Sequence, residues 1–322
     1  MIPDTVRMMF ATALAVFATA VQAASSDLPI VLDTPTGQIA GSLLMPPAKG
    51  PVPVALIIAG SGPTDRNGNS RLLPGANDSL LMLAQALADA GFATVRYDKR
   101  GIGASMAAAP PQADLRFEMY VDDASAWIAK LKRDARFSSI VVIGHSEGSL
   151  IGMLAAKQAK ADAFVSVAGI ARGAGQVMRM QLAGKLPPEL SARNEAFLTA
   201  LERGNTSVAA PNELASIYPE SVKAYLASWF RYTGAERIAM LEVPVLIVQG
   251  TTDIQVRVSE AEGLKAALPR ARLAVIAEMN HVLKIVPTGS ATPLASYSDP
   301  ALPLAPGLIS VLLEFMRDLP PK

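Results

Sequence analysis

One pentapeptide in the chain is arranged for nucleophilic chemistry: Gly144-His145-Ser146-Glu147-Gly148. It directly follows the apolar run SIVVIG (139–144) and directly precedes the small-residue run SLIGMLAA (149–156). Strand, sharp turn and helix in that order lift a serine hydroxyl out of the backbone. The flanking glycines are needed because side chains there would strike the neighbouring strand and helix. The helix N-terminus adds a favourable dipole for negative charge developing on a substrate oxygen. A serine hydroxyl needs a base that works near neutral pH, and histidine is the natural one. The sequence has only two, His145 and His281. His145 adjoins the serine within the turn and is poorly placed to face its hydroxyl, which leaves His281. A carboxylate would then orient the imidazole and stabilise its charged form. Asp65, Asp98 and Asp253 each follow a strand-like run and compete for that role.

Composition removes other chemistries. There is no cysteine, which excludes disulfides, zinc ribbons, thiol nucleophiles and iron–sulfur ligands together. A multi-histidine metal site would have to use both histidines, so no metal or organic cofactor is implied. The 29 Lys and Arg against 28 Asp and Glu give a net charge of +1, without the basic excess that a nucleic-acid partner calls for. Apolar residues make up 51% of the chain, ample for a large core. Gly101-Ile102-Gly103 is not a dinucleotide fingerprint, because Met106 stands where the third glycine belongs.

The candidate residues must be held by an alternation of strands and helices. PIVLDT and QIAGSLLM, around a turn at Pro35-Thr36-Gly37, read as a hairpin over 29–46. Continuous apolar runs at 54–60, 92–98, 139–144, 163–169, 243–250 and 272–278 suit strands buried on both faces. Helical stripes lie between them. Leu80, Leu83, Ala84 and Leu87 share a face behind a cap at Asn77 or Asp78, with Gly91 past the end. Phe117, Val121, Ala124, Ile128 and Leu131 form another stripe. This specifies an α/β fold, a mostly parallel central sheet with helices on both faces. The alternation breaks over 172–240, where helical fragments such as Val222, Tyr225, Leu226 and Trp229 predict an inserted helical cap. The core of the fold would then occupy 24–171 and 241–322. Tyr218, Tyr225, Trp229, Phe230, Tyr232, Met178 and Met180 fall in the cap, where they suit an acyl pocket or the cap's own small core.

Residues 8–21 form an uncharged apolar run behind Arg7, followed by Val21-Gln22-Ala23. This reads as a secretory signal peptide over 1–23, cleaved after Ala23. The run is shorter than the ~20 residues a membrane-spanning helix needs. A periplasmic or secreted protein without stable membrane insertion is expected.

The pentapeptide in this context resembles the serine-hydrolase branch of the α/β-hydrolase superfamily. GSGPTDRNGN (60–69), DKRGIGAS (98–105), GTTDIQV (250–256) and MNHVLK (279–284) are similar to a subgroup of bacterial esterase-like hydrolases, beside lysophospholipase-like and serine-aminopeptidase-like proteins. In that family the acid follows a late strand and the histidine follows the next one. The resemblance therefore implies Ser146, Asp253 and His281 as a triad, in the family's order. It also implies an oxyanion hole made of the backbone N–H of Glu147 and that of Ser61, with Gly62 as the alternative. The family commonly has His-Gly where this chain has Ala59-Gly60, a departure that leaves the backbone donors intact. The activity implied is hydrolysis of small-molecule carboxylic esters through an acyl-enzyme, and the aromatic and Met-rich segments of the cap suit short to medium acyl chains. A serine peptidase of aminopeptidase type is the alternative, and a catalytically silent binding protein is a third reading.

Overall fold

The structure is a computed structural model that describes residues 27–292 and 294–320. The expected signal peptide lies outside the described residues. The apolar runs become the strands of one eight-stranded sheet. β1 (Leu28–Thr34) and β2 (Gly37–Leu44) form the hairpin, and β3 (Val52–Ile58), β4 (Ala93–Tyr97), β5 (Phe137–His145), β6 (Ala163–Val167), β7 (Val245–Gly250) and β8 (Arg272–Ile276) follow. Their order across the sheet is β1-β2-β4-β3-β5-β6-β7-β8. The β1–β2 and β2–β4 pairings are antiparallel, and all the others are parallel.

Parallel neighbours need crossover helices, and these cover both faces. On one face lie α1 (Ser79–Asp89) and α9 (Pro306–Arg317). On the other lie α2 (Phe117–Lys132), α3 (Glu147–Ala159) and α8 (Val258–Ala267). The period of two along β3 divides its side chains between them. Val54, Leu56 and Ile58 enter one core and Ala55 and Ile57 the other. The α1 cap comes from Asn77, whose Oδ1 accepts from the Ser79 N–H at 3.0 Å. Asp78 takes a left-handed conformation and makes no side-chain cap bond.

Between β6 and β7 the chain runs through α4 (Ala174–Leu182), α5 (Pro188–Glu202), α6 (Lys223–Trp229) and α7 (Gly234–Ala239), with no strand among them. Part of this stretch packs on itself, as where Phe197 meets Tyr218 with ring centroids 5.1 Å apart. Part packs on α2. Trp229 stacks on Phe117 at 6.1 Å, and Ser228 Oγ accepts from the Phe117 N–H at 2.8 Å. Among the described residues no helix is long and apolar enough to cross a membrane.

Because β3 to β8 run parallel, the residues just past their C-terminal ends gather at one edge of the sheet. Ligands of open α/β sheets bind outside that edge. Gly60 and Ser61 follow β3, Asp98 to Arg100 follow β4, Ser146 follows β5, Asp253 follows β7 and His281 follows β8.

Candidate active site

Ser146 has φ +55° and ψ −121°, a conformation L-residues avoid, between the end of β5 and the first residue of α3. Such strain persists only where packing over-determines it. Here the two glycines do so. A Cβ on Gly144 would come within 2.2 Å of the Gly148 carbonyl oxygen, and one on Gly148 within 2.3 Å of the Ile58 carbonyl oxygen. The turn can therefore press α3 against β3 and leave the serine pointing outward.

His281 and Asp253 come together. His281 Nδ1 lies 2.8 Å from Asp253 Oδ2, and both side chains are buried. With the carboxylate as acceptor, Nδ1 carries the proton and Nε2 is left as the basic nitrogen. Asp253 is itself held. Its Oδ1 accepts from the N–H groups of Gln255 and Val256 at 2.8 and 2.9 Å, and its Oδ2 from Gln249 Nε2 at 3.1 Å. Burial works against the Asp253 charge, but His281 and those amides outweigh it and keep the carboxyl below the usual carboxylate range. Ser146 and His281 line the same 380 Å³ cavity, with no hydrogen bond between them among the described residues.

The other candidates have different partners. Asp98 accepts from the Arg66 backbone N–H, from Arg66 Nη2 and from the Ala104 N–H, each at 2.8 Å. Asp65 accepts from the N–H groups of Asn67 and Asn69 at 2.8 and 3.0 Å. Both carboxylates brace loops, and neither meets His281. His145 turns its Nε2 to the His281 carbonyl oxygen at 2.8 Å, so Nε2 must donate. Burial, then the neighbouring His281, pushes its pKa down to about 3, which keeps the ring neutral.

A second cavity of 280 Å³ meets Ser146 from the other side, beneath the helices between β6 and β7. Ser61 and Glu147 line it, and the backbone N–H of neither donates to a protein acceptor among the described residues. The orphan N–H at the first turn of α3 is expected of any helix start. The aromatic and methionine candidates divide between the two roles. Tyr225, Trp229 and Met178 line this cavity, whereas Tyr218 packs on Phe197 and Tyr232 on Phe117.

A family model described as "Serine aminopeptidase, S33" (Hydrolase_4) matches residues 77–285. The chain belongs to this family. Esterase EstD of Thermotoga maritima is 27% identical over 265 residues, 81% of this chain. The chain spans 62% of the length of that relative. Among solved structures, Est1E from Butyrivibrio proteoclasticus with ferulic acid bound is 17% identical. It has a TM-score of 0.58, covering 90% of this chain and 98% of its own. The Pyrococcus furiosus esterase Pf2001 is 16% identical with a TM-score of 0.56, covering 92% and 91%. At that identity these structures share the α/β-hydrolase fold with this S33-type chain.

Two features of this candidate site escape the sequence. Gln249 braces Asp253 from inside β7, and a lone buried glutamine in an apolar strand is a usable signal for it. Lys99 joins Glu147 across 48 residues of sequence. In DKRGIGAS the charged residues Asp98, Lys99 and Arg100 make ion pairs with Arg66, Glu147 and Asp123.

Proposed function

We propose that this protein is a serine hydrolase that cleaves carboxylic esters through an acyl-enzyme on Ser146. His281 Nε2 takes the Ser146 proton as Oγ bonds to the substrate carbonyl carbon. The N–H groups of Ser61 and Glu147 donate to the resulting oxyanion, and Asp253 stabilises the imidazolium. His281 then protonates the leaving alcohol as the C–O bond breaks, and water repeats the sequence to release the acid. Proton delivery fixes the orientation of the substrate. The alcohol belongs in the 380 Å³ cavity that His281 lines, and the short to medium acyl chain in the 280 Å³ cavity beneath the helical cap.

One observation carries the choice of ester over aminopeptide. An aminopeptidase must bind a substrate ammonium, and in a desolvated site that needs a facing carboxylate. Among the described residues the two cavities present one carboxylate, Glu147, already paired with Lys99 and Tyr225. The helical cap's Glu189, Glu195, Glu202, Glu213, Glu220 and Glu236 are all exposed and line neither cavity. The test compares kcat/KM for p-nitrophenyl esters of rising acyl length with aminoacyl p-nitroanilides. Esters are expected to win, with a maximum at short to medium chains. Faster anilide cleavage would replace this reading with the peptidase one.

We also propose export to the periplasm or medium, on the strength of the apolar run 8–21 and the small residues Val21 and Ala23. N-terminal sequencing of protein from a periplasmic extract should begin at Ala24. Recovery of residues 1–23 in the membrane fraction would contradict it.

A further inference from the structure

Lys99, two residues past the end of β4, is buried to 1% side-chain exposure, as is its partner Glu147. Its Nζ donates to Glu147 Oε2 at 2.7 Å and to the Gly60 carbonyl oxygen at 2.6 Å, and lies 5.0 Å from the centre of the Tyr120 ring. The other Glu147 oxygen, Oε1, accepts from the Tyr225 hydroxyl. Burial and the Glu147 charge push the Tyr225 phenol well above its usual range, so it remains a donor. Apolar residues could fill this space with no desolvation cost, so stability alone does not account for a buried ion pair here.

Position accounts for it. The Gly60 carbonyl and the Ser61 N–H belong to one peptide unit, which is planar and trans, so they point in opposite directions. Holding the carbonyl on Lys99 therefore aims the Ser61 N–H the other way. The second contact of the same ammonium is the side chain of Glu147, whose own N–H starts α3. One cation thus holds the peptide that carries the first donor by its carbonyl, and the residue that carries the second donor by its side chain. We propose that Lys99 is a positioning residue that aims the Ser61 N–H and sets its separation from the Glu147 N–H. Tyr225 extends the clamp to α6, so the wall of the acyl cavity and the oxyanion hole are held by one carboxylate. The inference rests on the oxyanion reading given above.

The experiment measures ester hydrolysis by Lys99→Met, Tyr225→Phe and the double variant Lys99→Met/Glu147→Gln. Rates are normalised to active sites titrated with a p-nitrophenyl phosphonate. Lys99→Met should lose roughly 10²-fold in kcat with KM within about threefold, because the donors act on transition-state charge. Tyr225→Phe should lose about fivefold, being one contact removed from the donors. The double variant leaves no unpaired buried charge, so it should regain much of the melting temperature that Lys99→Met loses. Its kcat should stay low, because the Gly60 carbonyl is still unheld. A kcat per titrated site within twofold of wild type in Lys99→Met overturns the inference. If that variant does not fold, the same result in the double variant overturns it. Ser146→Ala is measured beside them. Hydrolysis that survives in it overturns the reading of the site and the inference with it. Hydrolysis that depends on Ser146 but ignores Lys99 overturns the inference alone.

Discussion

On the β7–β8 side of Ser146, the carboxylate proposed to orient His281 is held by its own turn. Asp253 takes amides two and three residues ahead and the Gln249 side chain four residues behind, and meets His281 at the next strand end. On the β3–β4–β5 side, the proposed donors are held by a charge from elsewhere. Lys99 reaches Gly60 across 39 residues of sequence and Glu147 across 48. The two sides also differ in redundancy. In the proposed mechanism proton transfer runs through a single imidazole, whereas the oxyanion is shared between two N–H groups. Damage on the first side should therefore remove almost all of the activity, and damage on the second only part of it.

That contrast sets the order of expected effects. Ser146→Ala and His281→Ala should each lower kcat by at least ~10⁴-fold in folded protein, leaving the residual rate that binding and the oxyanion hole supply. Near-normal turnover in either would break the comparison at its root. Asp253→Asn should cost about 10³–10⁴-fold, since an amide that donates to Nδ1 imposes the wrong tautomer. A loss below tenfold would mean that Asp253 does not orient His281. Ser61→Pro deletes one of two donors and should lower kcat by roughly 10²–10³-fold with little change in KM. If kcat holds in a folded variant, the donor moves to Gly62.

The smallest effect concerns the residue that joins the two sides. His145 belongs to the turn of Ser146 yet donates to the His281 carbonyl. Its pKa is pushed down to about 3 in the fold, from 6.5. As pH falls below 6.5 the unfolded chain takes up a proton that the native one refuses. The stability this group contributes is therefore complete above pH 6.5 and declines towards pH 3. Between about pH 6 and pH 4, the unfolding free energy of wild type should fall more steeply than that of His145→Gln, by about 1.4 kcal/mol per pH unit. Parallel curves, from denaturant titrations at each pH, would show that His145 charges freely in the fold.

The same contrast explains what the sequence discloses. The strands are legible because each is a short apolar run, and Ser146 is legible because strand, glycine, serine and helix are contiguous. Asp253 and His281 each follow a legible strand, so a resemblance to known order suffices to pair them. Lys99 and Glu147 are different. Each alone reads as an ordinary charged residue in a loop or first helical turn, and only the β4-β3-β5 strand order brings them together. The aromatics between β6 and β7 are divided for a similar reason. Tyr218 and Tyr225 have the same chemistry, and only tertiary packing sends one to Phe197 and the other to the cavity wall.

The measurement that bears most directly on the site is the mass of the protein after exposure to a fluorophosphonate ester. A phosphonyl group transfers only to a serine that a neighbouring base activates and an oxyanion hole supports. One adduct per chain is expected, on the peptide that contains Ser146, absent in Ser146→Ala and slowed by orders of magnitude in His281→Ala. An unlabelled wild type, or an adduct on any other residue, would contradict the account.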